Sequence, residues 1–241
     1  MIRKTAIIIG ASSEIGFETA KKLAKQGFNL ALTYNTTEID TAIFEKVDVK
    51  TYGLNLSQTG AVEKFFEQVQ KDFQTFDCLI YCAGVAQKRA LIFDVTNDEI
   101  DNLFEVNIKS AIKAVREFSK MTANKNPASI VLVGSFVEKN GCSCESVYTA
   151  TKSALSGLCK SIASELGNLD TRINVVAPGF IDTKMNNNLD DEDKEEIGLM
   201  TPLKRLGRTE DVANAICFLS DEKSSFITGQ TLYIDGGLIL E

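Results

Sequence analysis

Short apolar runs alternate with helix-like segments from one end of the chain to the other, and this alternation constrains the fold more than any other feature. Seven runs are rich in apolar and β-branched residues: Thr5–Gly10, Asn29–Tyr34, Thr51–Asn55, Asp77–Tyr81, Ser129–Ser135, Arg172–Ala177 and Thr231–Asp235. Strands that are apolar on both faces are typical of a parallel sheet covered by helices on both sides. The pattern therefore predicts an α/β fold with a doubly wound, seven-stranded parallel sheet and right-handed crossovers.

The segments between the runs are typical of amphipathic helices. Examples are Glu14–Gln26, Ala61–Phe73, Asp98–Met121, Glu145–Leu166 and Glu210–Leu219. No linker, repeat or low-complexity tract interrupts the chain, so a single domain spanning residues 1–241 is expected. The least regular stretch is Thr183–Thr201, where three consecutive asparagines precede an acidic run. It fits either a solvated surface helix with a loose entry or a mobile lid over a substrate pocket.

Charge and residue usage exclude several classes of function. A net charge of −7 and a pI near 4.9 disfavour nucleic acids and anionic membrane surfaces, which call for basic patches. The absence of histidine excludes Ser-His triads and nearly all catalytic zinc sites, so no metal is predicted. The six cysteines include no CxxC pair and no secretory leader is recognised, which predicts reduced thiols and a cytoplasmic protein. Cys142 and Cys144 are interpreted as small packing residues rather than as a redox or metal-binding pair.

The first apolar run leads into a turn that begins at Gly10, ends at Gly16 and opens a helix. Such a turn lets the backbone approach a pyrophosphate at the helix N-terminus, as in the Rossmann fold, although a plain tight turn is the alternative. NAD-selective sites place a carboxylate at the end of the second strand, where this chain has Tyr34 and nothing acidic before Glu38. The sequence therefore favours NADP(H), and NAD(H) stays open because no arginine or lysine stands beside Tyr34.

Tyr148 and Lys152 are four residues apart at the start of a predicted helix, which places both side chains on one helix face. An ammonium beside a phenol lowers the phenol pKa from about 10, so that the tyrosine can protonate a developing alkoxide. An exposed amphipathic pair is the alternative. Ser135 ends the fifth strand, at the sheet edge where ligands of open α/β sheets bind. Asn107 lies within a predicted helix, although asparagine has a low helix propensity. Its presence there indicates either a specific hydrogen bond or a kink.

With these motifs in this order, and with Cys82-Ala83-Gly84, Pro178-Gly179 and Asp235-Gly236-Gly237, the chain resembles the short-chain dehydrogenase/reductase family from end to end. The resemblance implies that Tyr148 is the general acid/base and that Lys152 binds the nicotinamide ribose and lowers the pKa of Tyr148. It further implies that Ser135 orients the substrate carbonyl and that Asn107 supports a water relay to Lys152. The implied cofactor site comprises Gly10, Ser12, Ser13, Ile15, Gly16, Tyr34, Asn55, Leu56, Ala83, Gly84, Tyr148, Lys152, Pro178, Gly179, Ile181 and Thr183.

Four positions depart from the family pattern. Glu14 replaces a glycine of the turn, and Ile9 replaces the threonine before it. Cys82 replaces an asparagine, and Asn55 replaces an aspartate at the adenine pocket. Because a carboxylate repels a pyrophosphate, Glu14 is expected to point away from it, and the four changes are expected to affect cofactor affinity rather than the fold.

The resemblance implies NADPH-dependent reduction of a ketone to a secondary alcohol, with 3-oxoacyl groups on acyl carrier protein as the first candidate substrate and a modified elongation factor P as the alternative. The run from Thr201 to Gln230 is similar to that of 3-oxoacyl-[acyl-carrier-protein] reductases, although only Lys125 supplies positive charge where such enzymes have basic residues. The loop Gly141 to Tyr148 is similar to that of reductases acting on a ketone-bearing lysine modification of elongation factor P. Glu145 in that loop either attracts a cationic amine or serves as a helix N-terminal carboxylate.

A third and more remote hypothesis for the function is a non-catalytic regulator that binds a dinucleotide. Assembly into a homodimer or homotetramer is implied by the family resemblance, and the substrate is expected to be a small or carrier-bound ketone.

Overall fold

The computed structural model describes residues 3–186 and 190–239 and confirms the doubly wound α/β fold. Its parallel sheet contains the strands β1 (Thr5–Ile9), β2 (Asn29–Tyr34), β3 (Val49–Gly53), β4 (Cys78–Tyr81), β5 (Ala128–Val133), β6 (Thr171–Pro178) and β7 (Thr231–Ile234). The described strands follow the order β3-β2-β1-β4-β5-β6-β7. The chain reverses direction across the sheet between β1 and β4, so a cleft opens there at the carboxyl edge, where such folds bind ligands.

The third predicted strand, Thr51–Asn55, is shifted by two residues. In the structure β3 ends at Gly53, which pairs with Tyr34, the last residue of β2. Leu54 and Asn55 therefore lie in the loop that follows, and the Asn55 side chain accepts a hydrogen bond from the Ser57 amide at 3.0 Å.

Helices cover both faces of the sheet. They are α1 (Glu14–Lys25), α2 (Ala61–Asp72), α3 (Asn97–Phe104), α4 (Ser110–Thr122), α5 (Val137–Asn140), α6 (Ser146–Leu166), α7 (Asp191–Met200) and α8 (Thr209–Ser220). Alternate residues of β1 point to opposite sides: Ile7 and Ile9 pack in the core under α2, α4 and α6, whereas Ile8 packs in the core under α1 and α8. This two-sided burial explains why the strands read as continuous apolar runs.

The predicted helix Asp98–Met121 is interrupted in the structure. A π-helical turn, Glu105–Lys109, joins α3 to α4 and contains Asn107. Single π turns are wider than the α-helix and occur often at functional sites. A kink at Asn107 was one of the two alternatives from the sequence. Its π-helical form was not predicted, because the apolar spacing on either side of Asn107 remains helical.

The segment Thr183–Thr201 contains α7, a surface helix with an acidic first turn. Asp190 and Asp193 form a reciprocal capping box, in which the Asp193 amide donates to the Asp190 carboxylate at 2.8 Å. The surface-helix interpretation therefore holds for residues 191–200, while 187–189 lie outside the described residues. Motion of this segment as a lid stays a prediction. Over the described ranges, no helix has both the length and the apolarity to cross a membrane.

Candidate active site

The turn after β1 is built around two glycines that no other residue could replace without displacement. Gly10 has a φ of +83°, and a Cβ placed there would lie 2.6 Å from the Ala83 amide nitrogen. A Cβ at Gly16 would lie 2.4 Å from the Gly10 carbonyl oxygen. Ser13 caps α1, since its Oγ accepts a hydrogen bond from the Gly16 amide at 3.1 Å. The remaining first-turn amides have no partner within the helix, so they are available to an anion.

The Glu14 side chain, which the sequence predicts to point away from a pyrophosphate, is held by a contact within the protein. Its carboxylate accepts a hydrogen bond from the backbone amide of Lys184 at 2.7 Å. The contact joins the first residue of α1 to the segment after β6, and both residues line the cavity beside the turn. A carboxylate used in this way is held by the protein and need not face a phosphate.

A cavity of about 550 Å³ runs from the turn to the middle of the carboxyl edge. Among the predicted site residues, those that line it are Ser12, Ser13, Ile15, Gly84, Ser135, Tyr148, Lys152, Pro178, Gly179, Ile181 and Thr183. Gly10 and Gly16 support the turn from behind. The lining residues that sequence reasoning missed are Val85, Ala86, Val133, Gly134, Lys184 and Met185.

Besides Gly10 and Gly16, four of the predicted cofactor residues do not line this cavity: Tyr34, Asn55, Leu56 and Ala83. Tyr34 ends β2, with its ring beside Gly53. Leu56 is buried, and its carbonyl oxygen accepts a hydrogen bond from Ser110 at 3.2 Å. Their predicted contacts with adenine and ribose therefore stay predictions from the family resemblance.

Ser135 and Tyr148 face each other where the cavity meets a second pocket. Burial raises the pKa of Tyr148 to about 12, while its hydrogen bond with Ser135 acts in the opposite direction. The sequence predicted a lowered pKa. The difference arises because the tyrosine is buried, and the charges of Glu145 and Cys142 act in the same direction as burial. Lys152 Nζ lies over the ring, 5.7 Å from the ring centroid.

Lys152 is buried at the bottom of the cavity. Its Nζ donates a hydrogen bond to the Val133 carbonyl oxygen at 2.9 Å. Burial lowers the pKa of Lys152 to about 8. A Cβ at Gly84 would come within 3.3 Å of Nζ, so the glycine leaves the space that the ammonium occupies. Cys82 also lines the cavity, and burial raises the pKa of its thiol to about 12, which keeps it protonated.

Asn107 is fully buried, and its hydrogen bonds explain its position inside a helical segment. Its Oδ1 accepts from the Val85 amide at 2.8 Å, and its Nδ2 donates to the Val85 carbonyl at 3.0 Å. Nδ2 also lies 3.1 Å from Thr151 Oγ1, next to Lys152 in the chain. Asn107 therefore connects the loop after β4 to α6, and both a specific hydrogen-bonding role and a helix irregularity are observed.

Gln87 positions the N-terminus of α6, a feature that the sequence did not reveal. Its Oε1 accepts hydrogen bonds from the amides of Val147 and Tyr148, each at 3.0 Å. These amides occupy the first turn, where a capping residue is normally adjacent in sequence. Glu145 precedes the helix but makes no side-chain capping bond. No local motif could have indicated a cap that comes from sixty residues earlier in the chain.

The second pocket, of about 700 Å³, begins at Ser135 and Tyr148 and opens to solvent. Its walls include Phe136 and Phe180, whose ring centroids lie 5.0 Å apart, and Cys142. Four charged residues line this pocket and are called the rim below: Lys88, Arg89, Glu145 and Lys184. Within the rim, Arg89 Nε lies 3.9 Å from Glu145 Oε1. The rim therefore carries more positive than negative charge, although the whole chain is acidic.

The thiols of all six cysteines are free, and burial together with nearby Glu145 raises the pKa of Cys142. Over the part of the chain that the structure describes, no cluster of three or more metal-binding side chains occurs.

This geometry defines a class: an oxidoreductase of the doubly wound α/β type, with a serine, a tyrosine and a lysine between the cavity beside the glycine turn and a second pocket. A family model described as enoyl-(acyl carrier protein) reductase matches residues 10–239. A 3-oxoacyl-[acyl-carrier-protein] reductase FabG from Staphylococcus aureus is 31% identical over 98% of both chains. The Escherichia coli enzyme of that name is 30% identical, again over 98% of both.

Solved structures agree with these relatives. A short-chain dehydrogenase/reductase from Serratia marcescens superposes with a TM-score of 0.90 at 28% identity, covering 98% of this chain and 97% of the other. ElxO with NADP bound also gives 0.90, at 27% identity over 99% of each chain. The chain belongs to the short-chain dehydrogenase/reductase family, and it is an oxidoreductase.

Proposed function

We propose that this protein is an NADPH-dependent reductase of 3-oxoacyl groups carried on acyl carrier protein. The observation that carries the proposal is the rim, where Lys88, Arg89 and Lys184 oppose a single carboxylate, Glu145. The sequence alone had suggested that positive charge was lacking at the pocket. A cationic rim attracts an acidic carrier and speeds its encounter with an otherwise acidic enzyme. The names of the FabG relatives support the same substrate.

The residues present fit an NADP(H) cofactor. The glycine turn and the free first-turn amides of α1 suit a pyrophosphate, and the cavity extends from there to Lys152. Tyr34 leaves the end of β2 without a carboxylate, so a 2′-phosphate is not repelled. ElxO, a structural relative, has been solved with NADP. NAD(H) is the alternative cofactor and is tested in the same experiment.

In the proposed reaction the cofactor supplies the hydride for the carbonyl carbon. The Ser135 hydroxyl donates a hydrogen bond to the carbonyl oxygen and holds it beside Tyr148. Tyr148 Oη transfers its proton to that oxygen as negative charge develops. Lys152 stabilises the resulting phenolate, and Asn107 holds the loop and helix that line the route to Lys152. The product is a secondary alcohol, and the tyrosine recovers its proton from solvent.

One observation favours a second substrate. Glu145 lines the pocket wall, so its carboxylate can receive a cationic amine, as a ketone-bearing lysine modification of elongation factor P would require. Arg89 competes for this carboxylate, which weakens the argument. The regulator hypothesis has less support, because Tyr148, Lys152 and Ser135 are all present at the cavity. Homodimer or homotetramer assembly and a cytoplasmic location stay predictions.

The test compares acetoacetyl-acyl carrier protein, acetoacetyl-pantetheine and a primary amino-ketone as substrates, with NADPH and with NADH. We expect the carrier-bound thioester to have the highest kcat/KM, with a preference for NADPH, and its advantage over the pantetheine thioester to shrink as salt rises. Turnover of the amino-ketone alone would establish the second substrate instead. If neither is reduced, both substrate assignments fail and the family assignment remains. Oxidation of NADPH with any ketone would eliminate the regulator hypothesis. Tyr148→Phe is the inactive control.

A further inference from the structure

Glu138 is a buried carboxylate close to the candidate active site that the proposed reaction does not use. It belongs to α5, the short helix that follows Ser135. Its Oε1 accepts a hydrogen bond from Ser156 at 2.7 Å and one from Tyr233 at 3.2 Å. Its other oxygen, Oε2, is buried and accepts no hydrogen bond. A buried carboxylate oxygen without a donor is costly, so its presence calls for a compensating charge.

This carboxylate and Lys152 both lie close to the backbone at the end of β5. Lys152 Nζ donates to the carbonyl oxygen of Val133 at 2.9 Å. The next residue is Gly134, where a Cβ would lie 3.1 Å from Glu138 Oε2. Lys152 and Ser156, which bonds Glu138, are also one turn apart on α6. The ammonium and the carboxylate are therefore close to two consecutive backbone residues, Val133 and Gly134.

We propose that Glu138 is the buried counter-charge of Lys152, a positioning residue that keeps the lysine protonated for its part in the proposed reaction. At low effective dielectric, charges interact without direct contact. Lys152 is also faced by Tyr148 and by Cys82, whose thiol is neutral. Glu138 is also faced by the hydroxyls of Tyr233 and Thr231 and by Cys159. Among these described neighbours, Glu138 is the anion paired with Lys152.

The direction of the effect follows from two opposing influences. Burial lowers the pKa of Lys152 to about 8, and the negative charge of Glu138 raises it. Without that charge, the pKa of Lys152 would be lower, so that less of the lysine would be protonated at a given pH. A smaller fraction of the proposed enzyme would then carry the cation that stabilises the phenolate of Tyr148 at the pH at which the enzyme works.

The decisive measurement is an NMR titration of the Lys152 side chain in protein labelled with ¹³C at lysine Cε. The resonance is assigned by its disappearance in Lys152→Arg. In Glu138→Gln we expect the Lys152 midpoint to fall by about one pH unit relative to the unsubstituted protein. A midpoint that does not fall overturns the proposal. The titration needs neither cofactor nor substrate, so its result is independent of whether the proposed reductase activity is found.

Two controls separate charge from structure. Ser156→Ala removes a hydrogen bond to Glu138 but keeps its charge, so the Lys152 midpoint should move by much less than in Glu138→Gln. Glu138→Met removes the charge without adding a polar group, and it should reproduce the full fall if the glutamine variant folds poorly. The unsubstituted protein offers a third check: its Lys152 resonance should show a second, acidic inflection as Glu138 takes up a proton. Absence of that inflection also counts against the proposal.

A kinetic readout rests on the proposed function. If the enzyme reduces a ketone with NADPH, the alkaline limb of its kcat/KM profile should move to lower pH in Glu138→Gln, in parallel with the titration. Activity that drops equally at every pH indicates a purely structural role for Glu138.

Discussion

The bottom of the candidate site and its rim differ in how far their polar side chains are exposed to solvent. At the bottom, Asn107, Lys152 and Ser135 are 0%, 5% and 8% exposed, and each contacts the protein backbone or a neighbouring helix. At the rim, the Arg89 side chain is 65% exposed and its carboxylate partner is 3.9 Å away. Buried polar contacts are strong and geometrically fixed, whereas exposed ion pairs contribute about 0–1 kcal/mol and are screened by salt. The bottom is therefore suited to chemistry and the rim to choosing among substrates.

The largest effect is expected at Tyr148. Tyr148→Phe removes the proton donor but keeps the ring, so kcat should fall by about 10²–10⁴-fold while NADPH affinity changes little. Steady-state assays and a fluorescence titration of NADPH measure the two quantities. Activity close to that of the unsubstituted enzyme would show that the bottom of the site does not work as proposed.

Lys152→Met should abolish turnover and yet stabilise the protein at neutral pH. The folded-state pKa of Lys152, about 8, lies below its ordinary value of 10.5, which corresponds to a cost of about 3 kcal/mol for the buried charge. Because the unfolded chain holds the proton more tightly, the cost is full below pH 8 and is relieved between pH 8 and 10.5. The Tm advantage of the variant should shrink over that window. Lys160→Met, at an exposed site on α6, should show no such trend.

Gln87→Leu tests whether the remote cap holds the catalytic helix in place. The change leaves the amides of Val147 and Tyr148 without their acceptor, so the free energy of unfolding should fall by about 1–2 kcal/mol. We expect kcat to fall with unchanged NADPH affinity, because Tyr148 occupies the turn that Gln87 holds. Denaturant unfolding and kinetics measure both, with the exposed Gln70→Leu as the matched control. Equal stability of the two variants would contradict the capping role.

The smallest effect is expected at the rim. Arg89→Ala should lower kcat/KM for a carrier-bound substrate by about three- to tenfold at low salt, and the difference should vanish at high salt. Glu145→Gln should act in the opposite direction by a similar or smaller factor. Lys25→Ala, a change of equal charge outside both pockets, should have no effect. A loss with Arg89→Ala that persists in high salt would show that the rim is not a simple electrostatic surface.

The sequence predicted the fold because its evidence is local and repeated. Each strand carries its own apolar run, and each run is long enough to show burial on both faces, as Ile7, Ile8 and Ile9 do in β1. The errors fell where local preference yields to packing. The π turn at Asn107 depends on hydrogen bonds to Val85 and Thr151, which lie far away in the chain. The surface helix α7, by contrast, was among the predicted alternatives, because its capping box is local.

For the site, the order of the motifs along the chain and the family resemblance together selected Ser135, Tyr148 and Lys152, and the structure places all three in one cavity. These three residues belong to two short local segments, the end of one strand and the first turns of one helix. Only the tertiary structure decided which side of Tyr148 the lysine contacts and that Glu14 bonds to the Lys184 amide. It also decided that Gln87 caps α6 and that Lys88, Arg89 and Lys184 line one pocket. These features join residues distant in sequence, and burial and charge depend on what surrounds a residue in space.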